Sequence, residues 1–277
     1  MDALQELLAS RIAGFDGRAA VVAAFLTNKN EVSARVAVNE DEVFPAASLV
    51  KLPILIVALW AAESGALNLL ERVTLTRDDQ AGGSGVLGDL LPGATLTVHD
   101  LLRLMIVVSD NTATNMVLAR LGGPDVVNNF LSQRSLSVTR VLGPLQAPPE
   151  RRSAAQRAGG RAQTTAAEMN SILLGLQRGD YLCLSSRNLA LNFLAAQQVN
   201  DVIPRYLAPM FTVAHKTGEL PGIRHDAGLV STGFGVVGLS LLSQTAQMPS
   251  SGVEAPGALL LAVLAREVMA ASDLLGT

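Results

Sequence analysis

The sequence predicts an α/β (α+β) fold, in which an antiparallel sheet assembled from both ends of the chain is flanked by helices and accompanied by an all-helical lobe. Alternating segments rich in Val and Ala lie at 18–43 and again beyond residue 212. Between them, apolar residues recur at helical spacing. Because strands from both ends must meet in one sheet, the helical middle has to pack to one side of it.

The predicted elements follow the chain in order. An amphipathic helix at 1–15 precedes two alternating segments, 18–28 and 31–43, which a polar turn joins as a hairpin. Helices are predicted at 47–62, 98–121, 124–131, 165–177 and 186–198. In the last third we predict strands at 212–219, 225–232 and 257–267 and a short helix at 268–275.

This order of elements predicts two domains. A discontinuous sheet domain is expected at 1–45 and 200–277, and a helical domain at 46–199. Two long connections are expected, one at 143–163 that is rich in Pro, Ala, Gly and Arg, and one at 243–256 that is rich in Ser, Gly and Pro.

Composition and charge exclude several classes of protein. Apolar residues make up 49% of the chain, yet the most apolar stretch, 49–62, contains Lys51 and Pro53 and is too short to span a membrane. The net charge is −3 with acidic and basic residues mixed, so neither nucleic acid nor a membrane is expected as a partner. The sequence as it stands predicts a cytoplasmic protein, because charged residues interrupt the first helix and exclude a secretory signal. Removal of a leader would instead make the protein periplasmic or secreted.

Histidine and cysteine give no indication of a metal site. His99, His215 and His225 are scattered and have no cysteine beside them, so no metal or other cofactor is predicted. His215 and His225 are expected to face each other across neighbouring strands as structural residues. The single cysteine, Cys183, excludes an internal disulfide and is expected to be a buried structural thiol.

The first chemically suggestive motif is Ser48-Leu49-Val50-Lys51. If a helix begins near Ser48, its hydroxyl and the Lys51 amine share one face. A serine becomes nucleophilic when a base takes its proton, and a lysine can be that base if burial lowers its pKa. The pattern also arises by chance about once in a chain of this length, so a helix-capping serine with a solvated lysine is the alternative.

Two further motifs are Ser-Asp-Asn at 109–111, after an apolar helix, and Lys-Thr-Gly at 216–218, on a predicted strand. The first offers a second hydroxyl for proton relay and an amide for substrate, although it can also simply cap the next helix. The second offers a cation and a hydroxyl to a carboxylate, and Gly218 lets a substrate backbone approach closely. An ordinary edge strand guarded by a lysine is the alternative for the second motif.

Taken together, the three motifs resemble those of the serine β-lactamase and penicillin-binding family, which uses Ser-x-x-Lys, Ser-Asp-Asn and Lys-Thr-Gly. The residues at 44–48 and 216–228 are similar to those of class A β-lactamases and related hydrolases. The resemblance extends from about residue 17 to about residue 270 and implies a β-lactamase/transpeptidase-like fold.

The resemblance implies a covalent mechanism. Ser48 would form the acyl-enzyme, Lys51 would act as its base, and Ser109 would protonate the leaving nitrogen. Asn111 would hold Lys51 and the substrate amide. The backbone N–H groups of Ser48 and Glu219 would form the oxyanion hole.

The resemblance also implies a wall that binds a substrate carboxylate. Lys216 and Thr217 would contact this carboxylate, with Arg224 on the next strand as a second cation. Asp110 and Asn115 are expected to be structural and to tie helix starts to the neighbouring loop. The ligand would be a small molecule, and a monomer is expected.

One feature of class A β-lactamases is missing from this sequence. Those enzymes carry a Glu-x-x-Leu-Asn loop whose glutamate activates the water that removes the acyl group. Here the corresponding region, 141–163, lacks the motif, and its only carboxylate is Glu150. Glu150 is a candidate base, with a solvated acid beside Arg151 and Arg152 as the alternative. Deacylation is therefore expected to be slow.

The sequence thus predicts a serine acyl-hydrolase for β-lactams or related amides and esters. The alternatives are a D-Ala-D-Ala carboxypeptidase or esterase, and a penicillin-binding sensor that is acylated once without turnover. A dinucleotide site at the Gly-x-Gly-x-x-Gly of 233–238 is disfavoured because no βαβ unit surrounds it, and these glycines are expected in a turn between strands.

Overall fold

The computed structural model describes residues 1–233, 235–245 and 252–275, with side chains described up to residue 272. The strands are β1 (Gly17–Thr27), β2 (Val32–Val38), β3 (Phe44–Pro45), β4 (Arg72–Thr74), β5 (Thr95–Thr97), β6 (Gln163–Thr164), β7 (Thr212–Leu220), β8 (Ile223–Ser231) and β9 (Gly235–Thr245). The helices are α1 (Asp2–Ala13), α2 (Lys51–Glu63), α3 (Val98–Val107), α4 (Asn111–Arg120), α5 (Pro124–Ser132), α6 (Ala154–Arg157), α7 (Ala166–Arg178), α8 (Leu184–Ala195) and α9 (Pro256–Leu275).

Five strands form one antiparallel sheet in the order β2-β1-β9-β8-β7. The N-terminal hairpin joins the C-terminal strands where β1 pairs with β9, which confirms the predicted sheet from both ends of the chain. β7, which carries the Lys-Thr-Gly motif, is an edge strand of this sheet. The division into two domains at the predicted boundaries stays a prediction.

The sheet separates two apolar clusters. One face packs against the helices of the middle of the chain, including α2 and α7, and the other packs against α1 and α9. Because successive side chains of a strand point to opposite faces, Leu229 of β8 joins the first cluster and Val230 joins the second. In the described part of the chain, every helix is too short or too polar to cross a membrane.

The prediction for the C-terminal region is wrong at 257–267, where the predicted strand is the first part of α9. The predicted helix at 268–275 is confirmed as the continuation of α9. A wholly apolar run does not distinguish a buried strand from a buried helix, and its many Leu and Ala residues favour the helix.

The last strand along the chain is β9, so the prediction that Gly235 and Gly238 lie in a turn is wrong. A Cβ atom at Gly238 would lie 2.8 Å from Leu174 of α7, so this glycine permits close packing of helix on sheet. The predicted connection at 243–256 begins inside β9 and lies partly outside the described residues.

The predicted helix at 98–121 is two helices. Asp110 caps α4 by accepting a hydrogen bond from the Ala113 N–H at 2.8 Å. Ser109, between the helices, has φ +57°, a left-handed conformation that a continuous helix does not allow. The break turns Ser109 and Asn111 toward the N-terminal end of α2.

Cys183 is exposed, and the prediction of a buried thiol is therefore wrong. It is the residue that precedes α8, at a helix end on the protein surface, and its Sγ lies 3.1 Å from the Ser185 Oγ. The remaining predicted helices and strands are confirmed with small shifts at their ends.

Candidate active site

Ser48 and Lys51 lie side by side at the start of the central helix. Ser48 is half-buried in the 3₁₀ turn Ala47–Val50, which continues into α2 at Lys51. The Lys51 Nζ lies 3.1 Å from the Ser48 Oγ. Ala47 has φ +47°, an unusual conformation of the kind often found beside functional residues.

The Lys51 amine is fully enclosed by polar groups of the second motif. Its Nζ donates to the Ser109 carbonyl oxygen at 2.6 Å, and it lies 3.0 Å from the Ser109 Oγ and 2.8 Å from the Asn111 Oδ1. A lysine ammonium has three donors, and here four oxygens, including that of Ser48, surround it. Two hydroxyl groups therefore share one nitrogen, an arrangement that can pass a proton between them.

The charge of Lys51 is disfavoured in this position. Burial lowers the pKa of Lys51 well below its usual range, and the nearby charge of Lys216 lowers it further, while Asp110 partly opposes the shift. The lowered pKa favours the neutral amine, which is the form that can accept a proton.

Lys216 comes to the same cleft from the sheet. It is fully buried, and its Nζ donates to the Thr217 carbonyl oxygen at 2.8 Å. A Cβ atom at Gly218 would lie 3.3 Å from the Ala47 Cβ, so the edge strand passes close to the turn that holds Ser48. Burial lowers the pKa of Lys216 to about 7, and Asp226 opposes this shift.

Arg224 lies on β8, the strand next to Lys216 and Thr217, and its charge is paired. In the register of β7 and β8 it lies opposite Glu219, and it forms ion pairs with both Glu219 and Asp201. Arg224 is 5% exposed, whereas the Glu219 side chain is 45% exposed. Thr217 lies on the same face of the strand as Glu219, two residues earlier, and is 7% exposed.

The prediction that two histidines face each other is wrong. His215 lies opposite Gly228 and His225 lies opposite Gly218, so the strand alternation puts the two rings on opposite faces. The ring of His215 lies 2.9 Å from Asp226 and 3.1 Å from the Asn200 Oδ1.

His225 packs against the residues that precede the turn Ala47–Val50. Its Nε2 lies 2.8 Å from the Pro45 carbonyl oxygen, and its ring meets the edge of the Phe44 ring. Burial lowers the pKa of His225 to about 4, so the residue is neutral at ordinary pH.

A glycine-rich loop forms the rim of the cleft beside Asn111. The Asn111 N–H donates to the Ser84 carbonyl oxygen at 2.9 Å, and its Nδ2 donates to that of Gly82 at 2.9 Å. A Cβ atom at Gly83 would lie 2.8 Å from the same Nδ2, and the residue has φ +86°. Any other residue at this position would therefore displace the Asn111 amide.

The loop between α5 and α7 contains a leucine that is held by Asn115, one helical turn after Asn111. Asn115 accepts a hydrogen bond from the Leu145 N–H at 2.7 Å and donates to its carbonyl oxygen at 2.9 Å. Leu145 packs against the main apolar cluster, and the Cγ of the next residue, Gln146, would lie 3.6 Å from a Cβ atom at Gly83. Glu150 is exposed, further along the loop in the 3₁₀ turn Pro149–Arg151. Sequence reasoning missed Leu145, because spacing along the chain does not reveal the partner of Asn115.

The chain is similar to proteins of one family. The sequence model of the "Beta-lactamase enzyme family" matches residues 1–271. Beta-lactamase L2 of Stenotrophomonas maltophilia is 32% identical over 186 residues, 67% of this chain and 60% of that protein. A beta-lactamase of Streptomyces albus G is 33% identical over 202 residues, 70% of this chain and 63% of that protein. This chain therefore spans less than two-thirds of the length of these relatives.

A solved structure covers nearly the whole chain. It is the acyl-enzyme complex with penicillin-G of a PBP-A mutant in which a leucine is replaced by glutamate. The TM-score is 0.86 at 27% sequence identity, over 99% of this chain and 97% of that chain. The fold predicted from the motifs is confirmed by this likeness.

Proposed function

Because the chain belongs to the β-lactamase enzyme family, we propose that it is a serine acyl-hydrolase that opens β-lactams through an acyl-enzyme on Ser48. The observation that carries the proposal is the buried Lys51 amine, which lies 3.1 Å from the Ser48 Oγ and 3.0 Å from the Ser109 Oγ. These three groups are what acyl transfer needs: a nucleophile, a base, and an acid for the leaving group.

In the acylation step, neutral Lys51 takes the Ser48 proton while the Oγ forms a bond to the β-lactam carbonyl carbon. The first turn of a helix leaves backbone N–H groups without intrahelical partners, so the Ser48 N–H is suited to the oxyanion, together with that of Glu219. When the tetrahedral intermediate collapses, the C–N bond breaks and Ser109 gives its proton to the nitrogen. Lys51 then returns a proton to Ser109.

Substrate binding is assigned to two sides of the cleft. On the sheet side, Lys216 in its charged form and the Thr217 hydroxyl would hold the substrate carboxylate. On the helical side, the Asn111 amide, which contacts Lys51 and the rim loop, would also meet the substrate amide.

We propose that hydrolysis of the acyl-enzyme is the slow step. Removal of the acyl group needs a base that activates water, and the loop residue that Asn115 holds is Leu145, which has no titratable group. Glu150 is exposed in a later turn of the loop and is the weaker candidate. This arrangement also supports a second candidate function, a penicillin-binding carboxypeptidase or sensor with a long-lived acyl-enzyme.

Intact-mass spectrometry after incubation with penicillin-G tests the proposal. The wild-type protein should gain the mass of one penicillin, and the adduct should persist for longer than a typical turnover time. Ser48→Ala should lose the adduct, while Ser64→Ala, at the far end of α2, should keep it. An adduct on Ser48→Ala, or neither adduct nor hydrolysis in the wild type, would contradict the proposal. Rapid hydrolysis without an adduct would contradict only the slow deacylation.

A further inference from the structure

We propose that Glu219 is a specificity-determining residue that reduces the preference of this site for substrates with a free carboxylate. Its carboxylate pairs with Arg224, the cation that such a substrate would otherwise use. The inference rests on the proposed function and concerns which acyl donors the site accepts.

The strand register places the pair at the carboxylate-binding wall. Glu219 lies directly opposite Arg224 in the ladder of β7 and β8, and Thr217 lies opposite Asp226 on the same face. Directly opposite residues of an antiparallel pair have neighbouring Cβ atoms. A substrate carboxylate that meets the Thr217 hydroxyl is thus two residue pairs along the ladder from Arg224, on the same face of the sheet.

Both terminal nitrogens of this guanidinium are already paired with carboxylates. One contacts Asp201 and the other contacts Glu219. Within the described residues, the third nitrogen, Nε, is buried without a hydrogen-bond partner. One positive charge therefore faces two negative charges, and the group carries a net charge of about −1 toward an incoming anion.

The two carboxylates are not equivalent. Asp201 is 9% exposed, so we treat its ion pair with the arginine as permanent. The Glu219 side chain is 45% exposed, and its second contact is the Gly252 N–H at 3.4 Å. Glu219 is therefore the carboxylate that a substrate has to displace, and while it stays in place Lys216 is the remaining cation for the substrate.

The experiment compares a matched pair of acyl donors: a D-lactyl depsipeptide with a free carboxylate, and the same compound as its carboxamide. For each protein, the second-order acylation rate constant of the carboxylate compound is divided by that of the carboxamide to give one ratio. Removing a unit charge roughly 6 Å from the bound carboxylate, at an effective dielectric constant of about 40, should raise this ratio roughly tenfold in Glu219→Gln. The increase should shrink at high salt, which a purely structural effect would not do.

Two controls accompany this variant. Glu219→Asp keeps the charge and should keep the wild-type ratio within about twofold. Glu71→Gln removes a carboxylate of equal exposure, 45%, from another arginine pair, that with Arg120, and should leave the ratio unchanged.

Each outcome decides the question. If wild type and Glu219→Gln are both acylated at Ser48 with the same ratio, or if the ratio falls in the variant, the inference is overturned. If neither protein is acylated by either donor or by penicillin-G, the proposed function fails and the inference fails with it.

Discussion

The charge of Lys216 should govern how acylation depends on pH. Burial lowers the pKa of Lys216 to about 7, and only the protonated form can attract a substrate carboxylate. With this pKa, the protonated share is about nine-tenths at pH 6 and about one-tenth at pH 8. Raising the pH from 6 to 8 should therefore slow acylation by penicillin-G about tenfold, if the lysine charge is required for productive binding.

Stopped-flow acylation kinetics between pH 5.5 and 9 measure this dependence. An uncharged ester should not show the fall above pH 7, because it has no carboxylate for Lys216 to bind. Lys216→Arg keeps its charge through this range and should lose the alkaline fall with penicillin-G. The reasoning is refuted if the ester slows as much as the penicillin, or if Lys216→Arg keeps the wild-type profile.

Three further predictions concern the loop, the stability and the thiol. Leu145→Glu should shorten the acyl-enzyme lifetime by about 10²- to 10⁴-fold, as a positioned general base does; time-resolved mass spectrometry checks this, and Leu145→Gln should have no such effect. Because the folded-state pKa of His225 is about 4 and the unfolded-state pKa is about 6.5, the unfolded state binds the extra proton between these values. The contribution of neutral His225 to the free energy of unfolding should therefore be fully present above pH 6.5 and fall by about 3 kcal/mol as the pH approaches 4. Urea unfolding at pH 7 and 4.5 measures this change, and equal free energies of unfolding at the two pH values would contradict the prediction. Cys183 is exposed, and hydrogen bonds from Ser185 and Ser186 lower its pKa, so native protein should take up one iodoacetamide without denaturant; a protein that reacts only when unfolded would contradict the exposed position.

Local chemistry was predictable from the sequence where neighbours in the chain are also neighbours in space. Ser48 and Lys51 are three residues apart at a helix start, so their contact follows from helical geometry alone. The Ser-Asp-Asn motif could also be read as a cap for the next helix, and Asp110 does cap α4.

Contacts that depend on register and loop path were not predictable. The ion pair of Glu219 with Arg224 exists because the hairpin between β7 and β8 is short enough to put these residues opposite each other. Likewise, the two hydrogen bonds between Asn115 and the Leu145 backbone join residues that are 30 positions apart. The sequence shows which types of side chain can form ion pairs, but each arginine has several possible carboxylate partners. The partner that it contacts is determined by the fold.

Two buried lysines in one cleft need different neighbours if they are to act differently. Lys51 makes its direct contacts with uncharged oxygens of Ser48, Ser109 and Asn111, and Asp110 only partly opposes the lowering of its pKa. Lys216 has Asp226 nearby, which favours its charged form. A charge on Lys216 in turn makes a charge on Lys51 more costly. Under the proposed mechanism, the strand lysine would thereby be favoured as the cation and the helix lysine as the neutral base, so that a carboxylate-bearing substrate bound to Lys216 would meet a serine whose base can take the proton.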